Sequence, residues 1–242
     1  STPVRVENLA DSIFRLPVVT TDALRNPIVG FMKFDAKFGS ARLVVTKSIN
    51  FGASFTTDVK ASGWSGSGAL VCDCCPGSIV CSANKVAMMY RDNLSNIRDL
   101  WAGISSNTGS TFTQGLGYDG GNWMLMSCPS SGPDGVIIGD TLYTTYMSAN
   151  TGDELVYFNR SSLSSLMNSP GNPVTGMFTG LTMQNYPRMA GAANALGMVW
   201  RQSVSGSDYL VSRYTNNVSS GLYTDDTIAS SGVTNADVAM ID

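Results

Sequence analysis

Short apolar stretches rich in β-branched and aromatic residues recur along this chain, parted by Gly, Asn, Asp and Ser, and read as strands. The first predicted set covers residues 13–20, 27–34, 42–47 and 55–60. A second covers 78–81, 86–90, 100–104 and 112–116, and a third 135–138, 141–147, 154–158 and 174–182. A fourth covers 188–192, 196–201, 209–214 and 222–228, and residues 236–241 look like the first strand of a fifth. Between the third and fourth strands of the first two sets lies the same pattern, S-x-N-x-G-x-[S/T]-F. It is carried by Ser48, Asn50, Gly52, Ser54 and Phe55, and 57 residues later by Ser105, Asn107, Gly109, Thr111 and Phe112. The third set has lost it, with residues 160–165 in its place. A worn copy returns at 215–222, where Asn217 stands 110 residues after Asn107, two periods of 55. Four-strand units repeating at such a period predict an all-β fold, a β-propeller of four-stranded antiparallel blades.

The pattern has a mechanical use. Ser, Thr and Asn side chains hydrogen-bond turn backbone, Gly accepts a positive φ, and the closing Phe anchors the turn against the sheets. These residues are expected to be structural staples.

Composition agrees with a single turn-rich β domain over residues 1–242. Of 242 residues 43% are hydrophobic, enough for a real core, while 14% are charged and 25 are Gly. A net charge of −3 gives no basic field for nucleic acid, and no apolar run is long enough for a membrane-spanning helix. The chain opens polar, without a signal-peptide pattern, as a processed chain does. It contains no His, which excludes His-based triads, ligands and bases; Glu occurs only as Glu7 and Glu154, so acid–base chemistry falls to Asp, Tyr or Lys.

Four of the five cysteines, Cys72, Cys74, Cys75 and Cys81, fall within ten residues, and Cys128 is the fifth. On an extended strand adjacent Cys74 and Cys75 would point to opposite faces, which makes a four-thiolate metal site awkward. Disulfides in an exported protein are the favoured reading and buried free thiols the alternative; an odd count leaves at least one cysteine unpaired. No cofactor or metal is expected.

The repeated motif resembles the Asp box, or BNR repeat, of sialidases, with Asn in place of Asp in both good copies. Phe14-Arg15-Leu16-Pro17 resembles the sialidase F/Y-R-I/L-P motif, whose Arg helps to hold the sialic acid carboxylate; a guanidinium suits that role as a bidentate fork. The segment from Asp35 to Phe38 loosely resembles a family D-A-R-Y segment, with Lys37 where the family has Arg. Cys72-Asp73-Cys74-Cys75-Pro76, Tyr90-Arg91-Asp92, Arg98-Asp99 and Cys128-Pro129 through Gly132-Pro133 together resemble a group of exported bacterial sialidase-like proteins. The resemblance covers roughly residues 10–220 and implies a six-bladed propeller and a carboxylate-bearing sugar or other glycan as partner. At about 55 residues a blade this chain makes four blades and part of a fifth. That implies a smaller ring, truncation at the C-terminus, or closure by the segment 4–9.

The catalytic set implied by the resemblance is incomplete. A sialidase needs an Asp acid/base, a Tyr nucleophile tuned by a Glu, and three Arg. Gly39-Ser40-Ala41-Arg42 stands where the Asp belongs, and Asp35 is the nearest carboxylate. Glu154, placed in a strand, aligns with no family motif, and the last Arg is Arg188 or Arg213. The ligand-binding candidates are Arg15, Lys37, Arg91, Asp92, Arg98 and Arg188. For Arg91, Asp92, Arg98 and Asp99 the alternative is an Arg–Asp network tying two strands. Trp101, Trp123, Trp200, Tyr118 and Tyr186 could stack on sugars or pack between blades. The expectation is an exported, secreted or periplasmic glycan-binding propeller without efficient hydrolysis. The alternatives are a sialidase-type glycoside hydrolase and a structural or protein-binding propeller.

Overall fold

The computed structural model describes residues 2–7, 12–166, 171–174, 182–221 and 226–240. Four antiparallel meanders follow one another as the blades of a β-propeller. Blade one is β1 (Ser12–Thr21), β2 (Pro27–Asp35), β3 (Arg42–Lys47) and β4 (Val59–Lys60). Blade two is β5 (Leu70–Val71), β6 (Ser78–Ser82), β7 (Lys85–Asn93), β8 (Leu100–Ser105) and β9 (Gln114–Gly117). Blade three is β10 (Asp134–Ile138), β11 (Thr141–Ser148), β12 (Leu155–Ser162) and β13 (Asn172–Pro173). Blade four is β14 (Thr182–Ala192), β15 (Ala195–Val204), β16 (Ser207–Thr215) and β17 (Asp226–Ala229). The innermost strands β1, β6, β10 and β14 pack each against the next. The outermost strands are short, two residues in β4 and β13, which leaves little open edge.

Burial on both faces explains why several strands read as solid apolar runs. On β7, Val86, Met88 and Tyr90 enter the core between blades one and two, while Ala87 and Met89 enter the core between blades two and three. On β11, Leu142 and Tyr146 face blade two, and Tyr143 faces blade four. Removing each such large side chain from water contributes about 1.5–3 kcal/mol. Trp200 and Tyr118 are core residues of this kind.

The repeated turns close by one hydrogen-bond scheme. Gly52 N–H donates to Ser48 Oγ at 2.8 Å, Ser54 N–H to Asn50 Oδ1 at 2.9 Å, and Asn50 Nδ2 to Ser54 Oγ at 2.9 Å. The second copy repeats each bond: Gly109 N–H to Ser105 Oγ at 3.0 Å, Thr111 N–H to Asn107 Oδ1 at 2.9 Å, and Asn107 Nδ2 to Thr111 Oγ1 at 2.9 Å. Gly52 at φ 89° and Gly109 at φ 73° hold the left-handed conformation that the pattern assigns to glycine. Phe112 closes its turn inside the core between blades one and two. In the worn copy only part of the ring survives, with Asn217 N–H donating to Thr215 Oγ1 at 3.1 Å and Ser219 N–H to Asn217 Oδ1 at 3.0 Å.

Three expectations change. Residues 236–240 and 4–7 form no strand. Glu154 precedes β12 and is not part of it. The two-residue β5 was not anticipated; it pairs with the end of β7, in line with β6, so the innermost strand of blade two is broken by residues 72–77. Leu222, Ile241 and most of the expected strand 174–182 lie outside the described residues.

Candidate functional site

Each innermost strand contains a proline or begins shortly after one. Pro17 and Pro187 lie in bulges of β1 and β14, after Leu16 at φ 51° and Tyr186 at φ 53°. Pro76 ends the cysteine turn just before β6, and Pro133 immediately precedes β10. A proline has no N–H for the ladder, and in β1 and β14 a bulge bends the strand at that point. The four prolines are spaced 59, 57 and 54 residues apart, a repeat as regular as the S-x-N-x-G motif.

The residues after these prolines line one cavity of about 370 Å³, shared by all four blades and by the C-terminal segment. Val18 comes from blade one, Ser78 from blade two, Asp134 from blade three, Arg188 and Met189 from blade four, and Asp237 from the tail. Asp134 is fixed from both sides: Ser78 Oγ donates to its Oδ1 at 2.7 Å and Met189 N–H to its Oδ2 at 2.9 Å. Burial raises its pKa, while those two bonds and the nearby Arg188 pull it back. Arg188 donates to the Pro187 carbonyl at 3.1 Å and forms no ion pair among the described residues. Mixed polar and apolar walls, a fixed carboxylate, an exposed carboxylate and a cation with donors to spare make a concave site suited to a small polar ligand.

The other expected site residues are scattered. Arg15 is exposed and lines a separate hollow of about 350 Å³ on blade one, with Arg5, Glu7, Phe14 and Phe31. Lys37 is exposed on the β2–β3 turn. Asp35 closes that turn, its Oδ1 accepting Lys37 N–H at 2.9 Å and Gly39 N–H at 2.8 Å. Those backbone bonds hold its pKa below the usual range.

Arg91, Asp92, Arg98 and Asp99 are buried together, but not as the Arg–Asp network that their sequence suggests. Arg91, 1% exposed, donates to three carbonyls: Ser131 at 3.0 Å, Arg98 at 2.8 Å and Met147 at 2.6 Å. Its guanidinium also lies over the Trp123 ring, 5.2 Å from the centroid. Arg98 Nε donates to the Leu125 carbonyl at 3.1 Å, and Asp99 Oδ1 accepts Trp123 N–H at 3.1 Å. Ser65 Oγ donates to Asp92, whose pKa burial pushes up to about 6. These groups tie the 123–131 loop to blades two and three. Trp101 packs against the first interblade core, and Tyr186 carries the Arg201 guanidinium 5.1 Å from its centroid.

Lys33 was not foreseen; its buried ammonium meets Asp58 at 2.8 Å and Glu7 at 3.7 Å. Three charges far apart in the chain leave no local signal.

The cysteines converge. Cys74 and Cys128 form a disulfide, while Cys72, Cys75 and Cys81 are free thiols. The sulfurs of Cys72, Cys74, Cys75 and Cys128 all lie within 4.8 Å of one another. The opposite-face argument fails because residues 72–75 form a turn, closed by Cys75 N–H to the Cys72 carbonyl at 3.1 Å, and not an extended strand. Cys81 stands on β6 outside this cluster.

No family model matches the chain, and no curated protein matches it. Solved structures do. An α-L-arabinanase of Penicillium chrysogenum, complexed with arabinobiose, has TM-score 0.59 and 12% identity, over 93% of this chain and 70% of that one. A family 117 glycoside hydrolase of the marine bacterium Zobellia galactanivorans has TM-score 0.53 and 9% identity, over 95% of this chain and 74% of that one. A variant of the NanB sialidase of Streptococcus pneumoniae has TM-score 0.59 and 10% identity, over 93% of this chain and 54% of that one. At these identities the likeness is one of fold: this chain shares the propeller of glycoside hydrolases.

Proposed function

We propose that this chain is a glycan-binding propeller that takes an acidic sugar in its axial cavity without efficient hydrolysis. The observation that carries the reading is Arg188, a cation in a concave site whose one side-chain bond among the described residues goes to the adjacent carbonyl. A sugar carboxylate would supply the missing partner, with Asp134 and Asp237 accepting from ring hydroxyls. Two features argue against turnover. Asp134 already spends both oxygens on Ser78 and Met189, and Asp35 spends an oxygen on its own turn. The Cys74–Cys128 disulfide supports export to an oxidising compartment.

Titration calorimetry with sialic acid and a hexuronic acid tests the reading. Arg188→Ala is expected to weaken binding about tenfold or more, and Arg15→Ala to leave it unchanged. If Arg15→Ala alone weakens binding, the ligand sits in the blade-one hollow and the axial assignment fails. A hydrolytic reading is favoured by the two carboxylates, Asp134 and Asp237, that share the cavity. Cleavage of a fluorogenic sialoside that disappears in Asp134→Asn would establish it.

A further inference from the structure

We propose that Cys72 is a nucleophilic thiol that exchanges with the Cys74–Cys128 disulfide, so that the cluster interconverts between two disulfide pairings at one oxidation level. The turn at residues 72–75 brings the Cys72 sulfur to 3.0 Å from the Cys75 sulfur and 3.5 Å from the Cys74 sulfur. Cys72 therefore stands between a second thiol and the disulfide sulfur that it would attack. Cys128, at the far end of that disulfide, is exposed and can depart into water.

The surroundings favour the thiolate. Cys75 donates to Cys72, and Arg98, the Cys74 amide and Arg91 stabilise its negative charge, so the Cys72 thiol falls to about 7 from 9.0. Cys75 is raised, by the shared bond with Cys72 and by burial. The charged groups on the packed elements are Arg91 and Asp92 on β7, Arg98 and Asp99 after it, and Asp119 beyond β9; Asp119 acts with Asp99 and is itself offset by Arg91. Arg91, with three carbonyl acceptors, forms no ion pair among the described residues and keeps a buried positive charge beside the thiolate.

The exchange balances without an external oxidant or reductant. The Cys72 thiolate attacks Cys74 Sγ; the Cys72–Cys74 bond forms as Cys74–Cys128 breaks, and Cys128 leaves as a thiolate that takes a proton from water. Cys75 then attacks Cys72 Sγ. The Cys72–Cys75 bond forms, and Cys74 leaves as a thiolate that takes up the Cys75 proton. One disulfide and two thiols stand on each side.

The consequence reaches the axial cavity. The disulfide clips the Cys128 loop to the cysteine turn, and both segments run directly into cavity-lining prolines, Pro76 and Pro133. Their backbones touch at Gly132, where an added Cβ would lie 1.9 Å from the Pro76 carbonyl oxygen. The alternative pairing releases the clip and closes a bond wholly within the turn.

The test is thiol labelling of the full chain, purified without reductant under nitrogen, with N-ethylmaleimide and peptide mass spectrometry. Cys128 is expected to label in the native protein. Its rate should rise about tenfold per pH unit below about pH 7 and level off above it. Cys72→Ser should cut Cys128 labelling about tenfold or more, Cys75→Ser should abolish only the Cys72–Cys75 linked peptide, and Cys81→Ser should change neither. Unchanged thermal unfolding of these variants separates exchange from misfolding, and the wild-type pH profile stands without any variant. Labelling of Cys72 and Cys75 with Cys128 protected at every pH overturns the proposal. So does resistance of all four cysteines, whether through two closed disulfides or through a bound metal released by a chelator.

Discussion

Asp134, on the innermost strand of the third blade, accepts the backbone N–H of Met189, on the innermost strand of the fourth, at 2.9 Å. Its other oxygen takes Ser78 Oγ from the second blade at 2.7 Å. One carboxylate thus joins three blades at the axis. Asp134→Ala strands a backbone donor and a hydroxyl, and is expected to cost about 1–3 kcal/mol in urea unfolding. Asp134→Asn keeps the volume and one acceptor, and should lose less. An Ala variant with wild-type stability would show that water replaces the carboxylate without cost.

Acid should stabilise this protein. Burial raises Asp92 to about 6 and Asp119 to about 7, against 3.8 for an ordinary aspartate. Both hold their protons more tightly folded than unfolded, so between about pH 4 and pH 7 the native chain binds more protons and stability falls as pH rises. Cys72, lowered to about 7 from 9.0, acts the other way only as pH climbs above that window. The melting temperature is expected to be higher at about pH 5 than at about pH 7, and Asp119→Asn should flatten the difference. A melting temperature that rises across that interval would contradict the burial of both carboxyls.

Strand order and the repeated turns were legible because each uses local signals: period-two alternation, Gly at positive φ, and Ser or Asn bonding the turn. The strand edges matched where an apolar run set them, as at residues 42–47. The two-residue β5 leaves no period to detect. The axial site was half legible. Arg188 was reached through the resemblance, as one of two choices for the last Arg, but Asp134 follows a single proline per blade, and one residue in about 57 is faint without the fold. The Arg91 cage was illegible for another reason. It consists of carbonyls, which every residue carries, so the side-chain sequence suggested Arg–Asp pairs where Arg91 instead takes backbone.

Gly132→Ala should be severe. The new methyl group would lie 1.9 Å from the Pro76 carbonyl oxygen and 2.9 Å from its carbon, a collision with backbone on the cysteine turn. Relief requires moving the Cys128 loop, and with it the Ser131 carbonyl that holds Arg91. The expected loss is about 3 kcal/mol or more in chemical denaturation. Gly197→Ala is the control, since its nearest neighbours are 3.9 and 4.0 Å away. Equal effects at the two positions would mean that the loop is not packed as described.

Asn107 separates the acceptor from the donor in the repeated turn. Its Oδ1 accepts from Thr111 N–H and from Ser105 Oγ, and its Nδ2 donates to Thr111 Oγ1. Asn107→Ala removes all three bonds and should destabilise by about 1–3 kcal/mol. Asn107→Asp keeps both acceptor contacts, and the Thr111 hydroxyl can turn to donate to the new carboxylate oxygen, so it should stay within about 0.5 kcal/mol of wild type. Measured by thermal unfolding, this ordering identifies the carbonyl oxygen as the working atom. If Asp costs as much as Ala, the Nδ2–Thr111 bond holds the turn, and Asn is required in this chain for its amide.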